Sequence, residues 1–90
     1  MKQHLASVTL VVNDYDEAIA FYVHKLGFEL LEDSLQGVAT LSNTEKRWVI
    51  VSPPGAAETR LLLAKADGAE QSRVVGNQAG GRVMFILFTD

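Results

Sequence analysis

The hydrophobic period of this chain changes at Asn13 and Asp14, and that change dictates how the fold begins. Upstream, residues 5–12 alternate, with Ala6, Val8, Leu10 and Val12 on one side and Ser7, Thr9 and Val11 on the other, in a stretch rich in β-branched residues. That is the two-residue period of a strand with one fully apolar face. Downstream, Ala18, Ile19, Tyr22, Val23 and Leu26 recur at helical spacing, and Asp14 stands three residues before Glu17, close to a capping box. Gly27 follows at the position where a left-handed C-terminal cap needs a residue without Cβ, and Phe28 can fold back on the helix. The spacing predicts a helix over residues 15–26.

Beyond the helix, residues 28–35 read as a strand, 36–46 as a partly extended turn region and 47–52 as a further strand. Pro53, Pro54 and Gly55 make a turn, because proline fixes its own φ and glycine tolerates positive φ. Residues 59–65 form the next strand, and 66–81 turn polar and glycine-rich, as a linker with one short helical turn would. The last run, 82–89, is nearly apolar throughout and reads as a strand covered on both faces. The order is β-α-β-β-β, a linker and one strand more.

Ninety residues make one domain at most, with a limited core. Apolar residues fill 48% of positions, enough for a folded chain. With no cysteine, disulfides, thiolate metal sites and a cysteine nucleophile are excluded. A net charge of −3, with acids and bases interspersed, offers no basic stripe for nucleic acid. The N-terminal apolar run is too short to span a bilayer and lacks a small-residue cleavage site, so the expectation is a cytoplasmic protein without membrane contact.

The element order and the stretch from Val11 to Asp33 resemble the vicinal oxygen chelate superfamily, the glyoxalase, bleomycin-resistance and extradiol dioxygenase group. Its recurring pattern is a strand ending in Asp, then Ala, Phe-Tyr and Leu-Gly-Phe, matched here by Asp14, Ala18, Phe21, Tyr22, Leu26, Gly27 and Phe28. The resemblance implies an α+β fold: a βαβββ module and a curved mixed sheet with a helix on its convex face. Relatives of this kind usually join two such modules around a shared cavity. A weak internal repeat agrees, since residues 8–14 align with 84–90, pairing Val8 with Met84, Leu10 with Ile86, Val12 with Phe88 and Asp14 with Asp90. The expected organisation is a βαβββ module over 1–65, a linker over 66–81, and the first strand of an incomplete second module over 82–90. Two readings stand side by side: a fragment of a longer protein, or a short chain that completes its cavity with a second copy. Both leave strand edges open, so a homodimer or chain-exchanged assembly is expected.

In metal-dependent members of the resembled group, the first-strand ligand lies seven residues before the capping Asp, which here is Ser7, not His4. His4 is an odd number of positions from Ser7 and falls on the opposite face of a regular strand. The repeat partner of Ser7 is Val83, and the fourth-strand position where relatives often carry Glu falls at Leu62. Hydroxyl, isopropyl and isobutyl groups do not assemble a divalent site, so the expectation is no metal and no cofactor. What remains is a cavity faced by Ser7, Thr9 and Val11, with Leu62, Val83 and Phe85, and with Trp48 able to stack on a ligand. Such a surface suits a hydrophobic or aromatic small molecule. His24 and Lys25 sit in the last helical turn, where the helix dipole favours positive charge. Residues 75–82 lack the Gly-Lys-Ser/Thr end of a phosphate loop and serve as a flexible module connection. The expected function is a small-molecule binder. The alternatives are a glyoxalase-like lyase or dioxygenase with unorthodox ligands or ligands from an absent half, and a truncated structural module without ligand.

Overall fold

The computed structural model describes residues 1–38, 45–56 and 58–90. Strand β1 (Ser7–Val12) leads into helix α1 (Tyr15–Ile19), and strands β2 (Glu29–Val38), β3 (Glu45–Ser52) and β4 (Arg60–Lys65) follow. They form one mixed sheet in the order β1-β4-β3-β2. β1 and β4 pair in parallel, while β4, β3 and β2 are antiparallel neighbours. The expected α+β module with its mixed sheet is therefore present.

The start of α1 follows the sequence closely. Asp14 is extended (φ −154°, ψ 138°), and its Oδ2 accepts from the Glu17 N–H at 2.8 Å. That satisfies one of the donors a helix leaves unpaired at its first turn. The helix does not continue as a regular α-helix to Leu26, as expected. From Ala20 to Lys25 it widens into a π-helical segment, closed where the Leu26 N–H donates to the Phe21 carbonyl at 3.0 Å. The apolar positions 18, 19, 22 and 23 fit either winding, so the pattern carries no signal for the wider turn. Gly27 then adopts φ +78°, and the Phe28 N–H reaches back to the Tyr22 carbonyl at 2.8 Å. This is the left-handed exit the glycine permits.

The core lies between α1 and one sheet face. Leu10 and Val12 of β1, Val49 and Val51 of β3, and Leu63 of β4 are buried against Tyr15, Ala18 and Phe28. Ile19, Tyr22, Val23 and Leu61 pack around them. β2 extends past residue 35 to Val38, with irregular register between Leu30 and Glu32 and between Leu35 and Val38. The rest of the region expected as a turn, 39–44, lies outside the described residues. The Pro53-Pro54-Gly55 turn is present, with the Ala56 N–H donating to the Pro53 carbonyl at 3.1 Å and Gly55 at φ +77°. Within 66–81 a six-residue helix, α2 (Ala69–Val74), is followed by consecutive turns.

Residues 82–89 depart from expectation. They form no strand among the described residues, and instead of being covered on both faces Ile86 is 90% and Phe88 89% exposed. Their apolar pattern suits a strand, but a strand exists only with a ladder partner. The outer edge of β1 is already occupied at Val11 by the side chain of Gln78. No helix among the described residues is long and apolar enough to cross a membrane.

Candidate functional site

Two surfaces are candidates for the functional site. The first is the sheet face opposite α1. Strand alternation sets Ser7, Thr9 and Val11 of β1 opposite the buried Leu10 and Val12, Leu62 of β4 opposite Leu63, and Trp48 of β3 opposite Val49 and Val51. Register brings them into rows. Leu62 has Thr9 on one side and Ile50 on the other, Val11 neighbours Ala64, and Trp48 faces Ser34 on β2. Five of the seven residues expected to bind a ligand thus share one face. Val83 and Phe85 lie on the unpaired segment, both exposed. His4 is exposed ahead of β1.

The donor set on this face does not fit a divalent cation. Ser7 sits in register with Arg60, whose guanidinium would repel the ion, and the fourth-strand position is the aliphatic Leu62. No group of three or more His, Asp or Glu side chains among the described residues could hold a metal.

The second surface is a cavity of about 760 Å³ on the helix side of β1's outer edge. Phe21, Tyr22 and Phe85 supply apolar lining, and Asp14, Lys25 and Arg82 supply charge. Phe21 and Tyr22 meet edge to face at 5.0 Å, with Tyr22 also 5.7 Å from Phe28. Burial pushes the Tyr22 phenol above its usual range, so it stays protonated and able to donate. Of the residues expected to bind a ligand, Val11 and Phe85 line this cavity; Ser7, Thr9, Trp48, Leu62 and Val83 do not.

Two residues that matter here escaped the sequence reading. Gln78 accepts from the Val11 N–H at 2.9 Å and donates to the Val11 carbonyl at 2.7 Å, fixing the 75–82 turns to β1. Nothing in a glycine-rich turn distinguishes Gln78 from its polar neighbours. Arg47 holds the helix to the hairpin. Its guanidinium pairs with both oxygens of Asp33 (3.0 and 2.6 Å) and with Asp16 (3.0 Å), and lies 5.1 Å from the centre of the Tyr15 ring. Its own backbone N–H donates to the Tyr15 hydroxyl at 3.3 Å. The hydrogen bonds from Arg47 hold the Asp33 carboxyl below its ordinary value, and Asp33 in turn raises the guanidinium. The cluster ties α1 to β2 and β3.

A capped helix laid over a parallel-then-antiparallel β1-β4-β3-β2 sheet, with its other face open, defines a βαβββ module of the kind that carries small-molecule sites. The family model of the Glyoxalase/Bleomycin resistance protein/Dioxygenase superfamily matches residues 4–90, and the chain belongs to that superfamily. It is 56% identical over 90 residues to an uncharacterized protein of Shewanella frigidimarina (strain NCIMB 400), covering all of this chain and 63% of that one. Among solved structures, UcmS2 is 37% identical with a TM-score of 0.57, covering 78% of this chain and 47% of its own. TnmS3, an antibiotic binding protein from Streptomyces sp. CB03234, is 33% identical with a TM-score of 0.54 over 71% of this chain and 46% of its own. The chain thus spans less than two thirds of the length of these relatives.

Proposed function

We infer that this chain is the ligand-binding module of a small-molecule-binding protein in the bleomycin-resistance line of its superfamily, working without the usual metal. The observation that carries the reading is the composition of the helix-free face. Ser7 and Leu62 stand at the two ligand positions the family resemblance assigns to this module, and neither completes a cation site. Thr9, Val11 and Trp48 beside them suit contact with a hydrophobic or aromatic ligand, oriented by one or two hydroxyls. The antibiotic-binding description of TnmS3 supports the same class of ligand. Two copies of the chain, as a homodimer or by exchange of segments, enclose the ligand between their open faces.

The test is thermal unfolding of the purified chain against aromatic and cationic drug-like compounds, with and without chelator. The expected result is a rise in Tm with at least one aromatic class, at about 2.7 kcal/mol of stabilisation when the ligand is at 100 times its Kd, and no response to chelator. A stoichiometric divalent metal in native mass spectrometry, with loss of stability on chelation, refutes it and moves a metal-dependent lyase or dioxygenase to first place.

A further inference from the structure

We infer that Arg60, with the Ser52 and Ser7 hydroxyls on either side of it, holds the carboxylate of a flat aromatic ligand at one end of the helix-free face, an assignment that rests on the binding function proposed above and names the chemical class of its ligand. The ligand is then a monoanion with two or three linked rings, its charged end at Arg60 and its rings directed toward Trp48.

Backbone pairing sets this face out in rows across the four strands. Ser7 pairs with Arg60, one step beyond the Val51–Leu61 pair puts Ser52 on the other side of Arg60, and Ser52 pairs in turn with Glu29. The next row is Thr9, Leu62, Ile50 and Glu32. By the same register the row after it is Val11, Ala64, Trp48 and Ser34. Ser34 Oγ donates to Glu32 Oε2 at 2.9 Å, which places both on one face of β2. One end row is therefore polar, and Leu62, Ile50, Ala64 and Trp48 make the middle of the face apolar. From Ser52 to Trp48 is a run of four residues along β3, about 13 Å, the span of a carboxylate and the rings attached to it.

The chemistry of the polar row selects the ligand's charged end. Arg60 makes no ion pair among the described residues, where both ion pairs belong to Arg47. A guanidinium with its donors free matches a planar carboxylate through two parallel N–H···O bonds. Ser52 points independently to an oxygen ligand in the same row. It is 1% exposed, and its hydroxyl has no hydrogen-bond partner among the described residues. Strand alternation with the buried Val49 and Val51 turns that hydroxyl to the helix-free side. A buried hydroxyl without a partner is costly, and a ligand oxygen held between Ser52 and Arg60 supplies the missing bond. The surrounding charge favours a monoanion over a dianion. Glu29, one strand beyond Ser52, has its backbone about 10 Å from that of Arg60 and repels a second negative charge. Lys46, which alternation puts on the same face, is exposed six residues from Ser52 along β3, about 20 Å away, too far to share the same carboxylate.

Isothermal titration calorimetry of the chain with biphenyl-4-carboxylate, its neutral carboxamide, biphenyl-4-methylamine and 4-biphenylyl phosphate tests the assignment. The expected result is that the carboxylate binds at least ~10-fold tighter than the carboxamide, and tighter than the amine and the phosphate. Arg60→Gln, at an exposed position whose backbone bond to the Ala6 carbonyl is kept, brings the ratio of carboxylate to carboxamide affinity to about one and leaves the circular dichroism spectrum unchanged. Lys46→Gln removes the same charge from elsewhere on the face and leaves the ratio as it was. Ser52→Ala lowers the carboxylate affinity by roughly 3- to 10-fold. A ratio of about one in the parent chain overturns the assignment. So does a ratio that survives Arg60→Gln or falls equally with Lys46→Gln, tighter binding of the amine or the phosphate, or a carboxylate affinity untouched by Ser52→Ala. A carboxamide bound as tightly as the carboxylate refutes the anionic end alone and leaves the binding function standing. A chain that binds none of these compounds refutes the binding function and this assignment with it.

Discussion

Arg47→Met keeps an unbranched apolar stem over the Tyr15 ring and removes the charge that joins α1 to the β2–β3 hairpin. Its cost can be worked from the contacts. The pair with Asp16 is bought cheaply by solvent, since the Asp16 side chain is 80% exposed, and contributes about 0–1 kcal/mol. The two-point contact with Asp33 is better sheltered, the side chains being 21% and 30% exposed, and is set at about 1–2 kcal/mol after discounting for screening. The guanidinium over the Tyr15 ring adds about 0.5–1 kcal/mol. The sum, about 1.5–4 kcal/mol, corresponds to a fall in Tm of roughly 6–32 °C for a domain of this size. The pH dependence carries the sign of a depressed carboxyl. The stability from Asp33 is present above its unfolded pKa of about 3.9 and is lost as pH falls through the lower folded value. Urea unfolding followed by Trp48 fluorescence, in a double-mutant cycle of Arg47→Met and Asp33→Asn at pH 7 and pH 2.5, measures the coupling. A coupling of at least ~1 kcal/mol at pH 7 that collapses at the lower pH is expected. A coupling below ~0.5 kcal/mol at pH 7, or one unchanged by acid, refutes the role given to the cluster.

Asp14→Ala removes the helix cap and costs about 1 kcal/mol by the same urea titration, whereas Asp14→Ser, which restores an accepting oxygen, recovers most of it. Leu63→Ala empties a fully buried position at the centre of the sheet and costs about 2–5 kcal/mol, enough to leave much of a small domain unfolded in thermal melts. Binding of an aromatic ligand on the helix-free face quenches or shifts Trp48 emission, and Leu62→Arg on the same face abolishes that signal while preserving the circular dichroism spectrum.

The parts of the fold readable from sequence are those whose cause is local. The cap at Asp14, the exit at Gly27 and the Pro54-Gly55 turn each depend on residues within a few positions, and each lies where the pattern predicts it. Alternation likewise separated Thr9 and Val11 from Leu10 and Val12, so one face of β1 could be assigned to the core and the other to the side of the sheet away from α1. Contacts between distant segments left no comparable trace. Arg47 meets Asp33 and Asp16 through the packing of a hairpin against a helix, and Gln78 reaches Val11 across 67 positions. Residues 82–89 carry an apolar pattern and a weak repeat of β1, and neither supplies the ladder partner that makes an extended segment a strand.

The parallel pairing of β1 with β4 also sets an order of events in time. The β2, β3 and β4 meander joins neighbours along the chain, but Ser7 must find Arg60, at the other end of the module. Contacts of such separation close late and govern the folding rate. During synthesis β1 leaves the ribosome first, yet its partner follows only after about 3–10 s at ordinary elongation rates. Gln78 emerges later still, so of these four strands the one made first is the one whose edges are covered last.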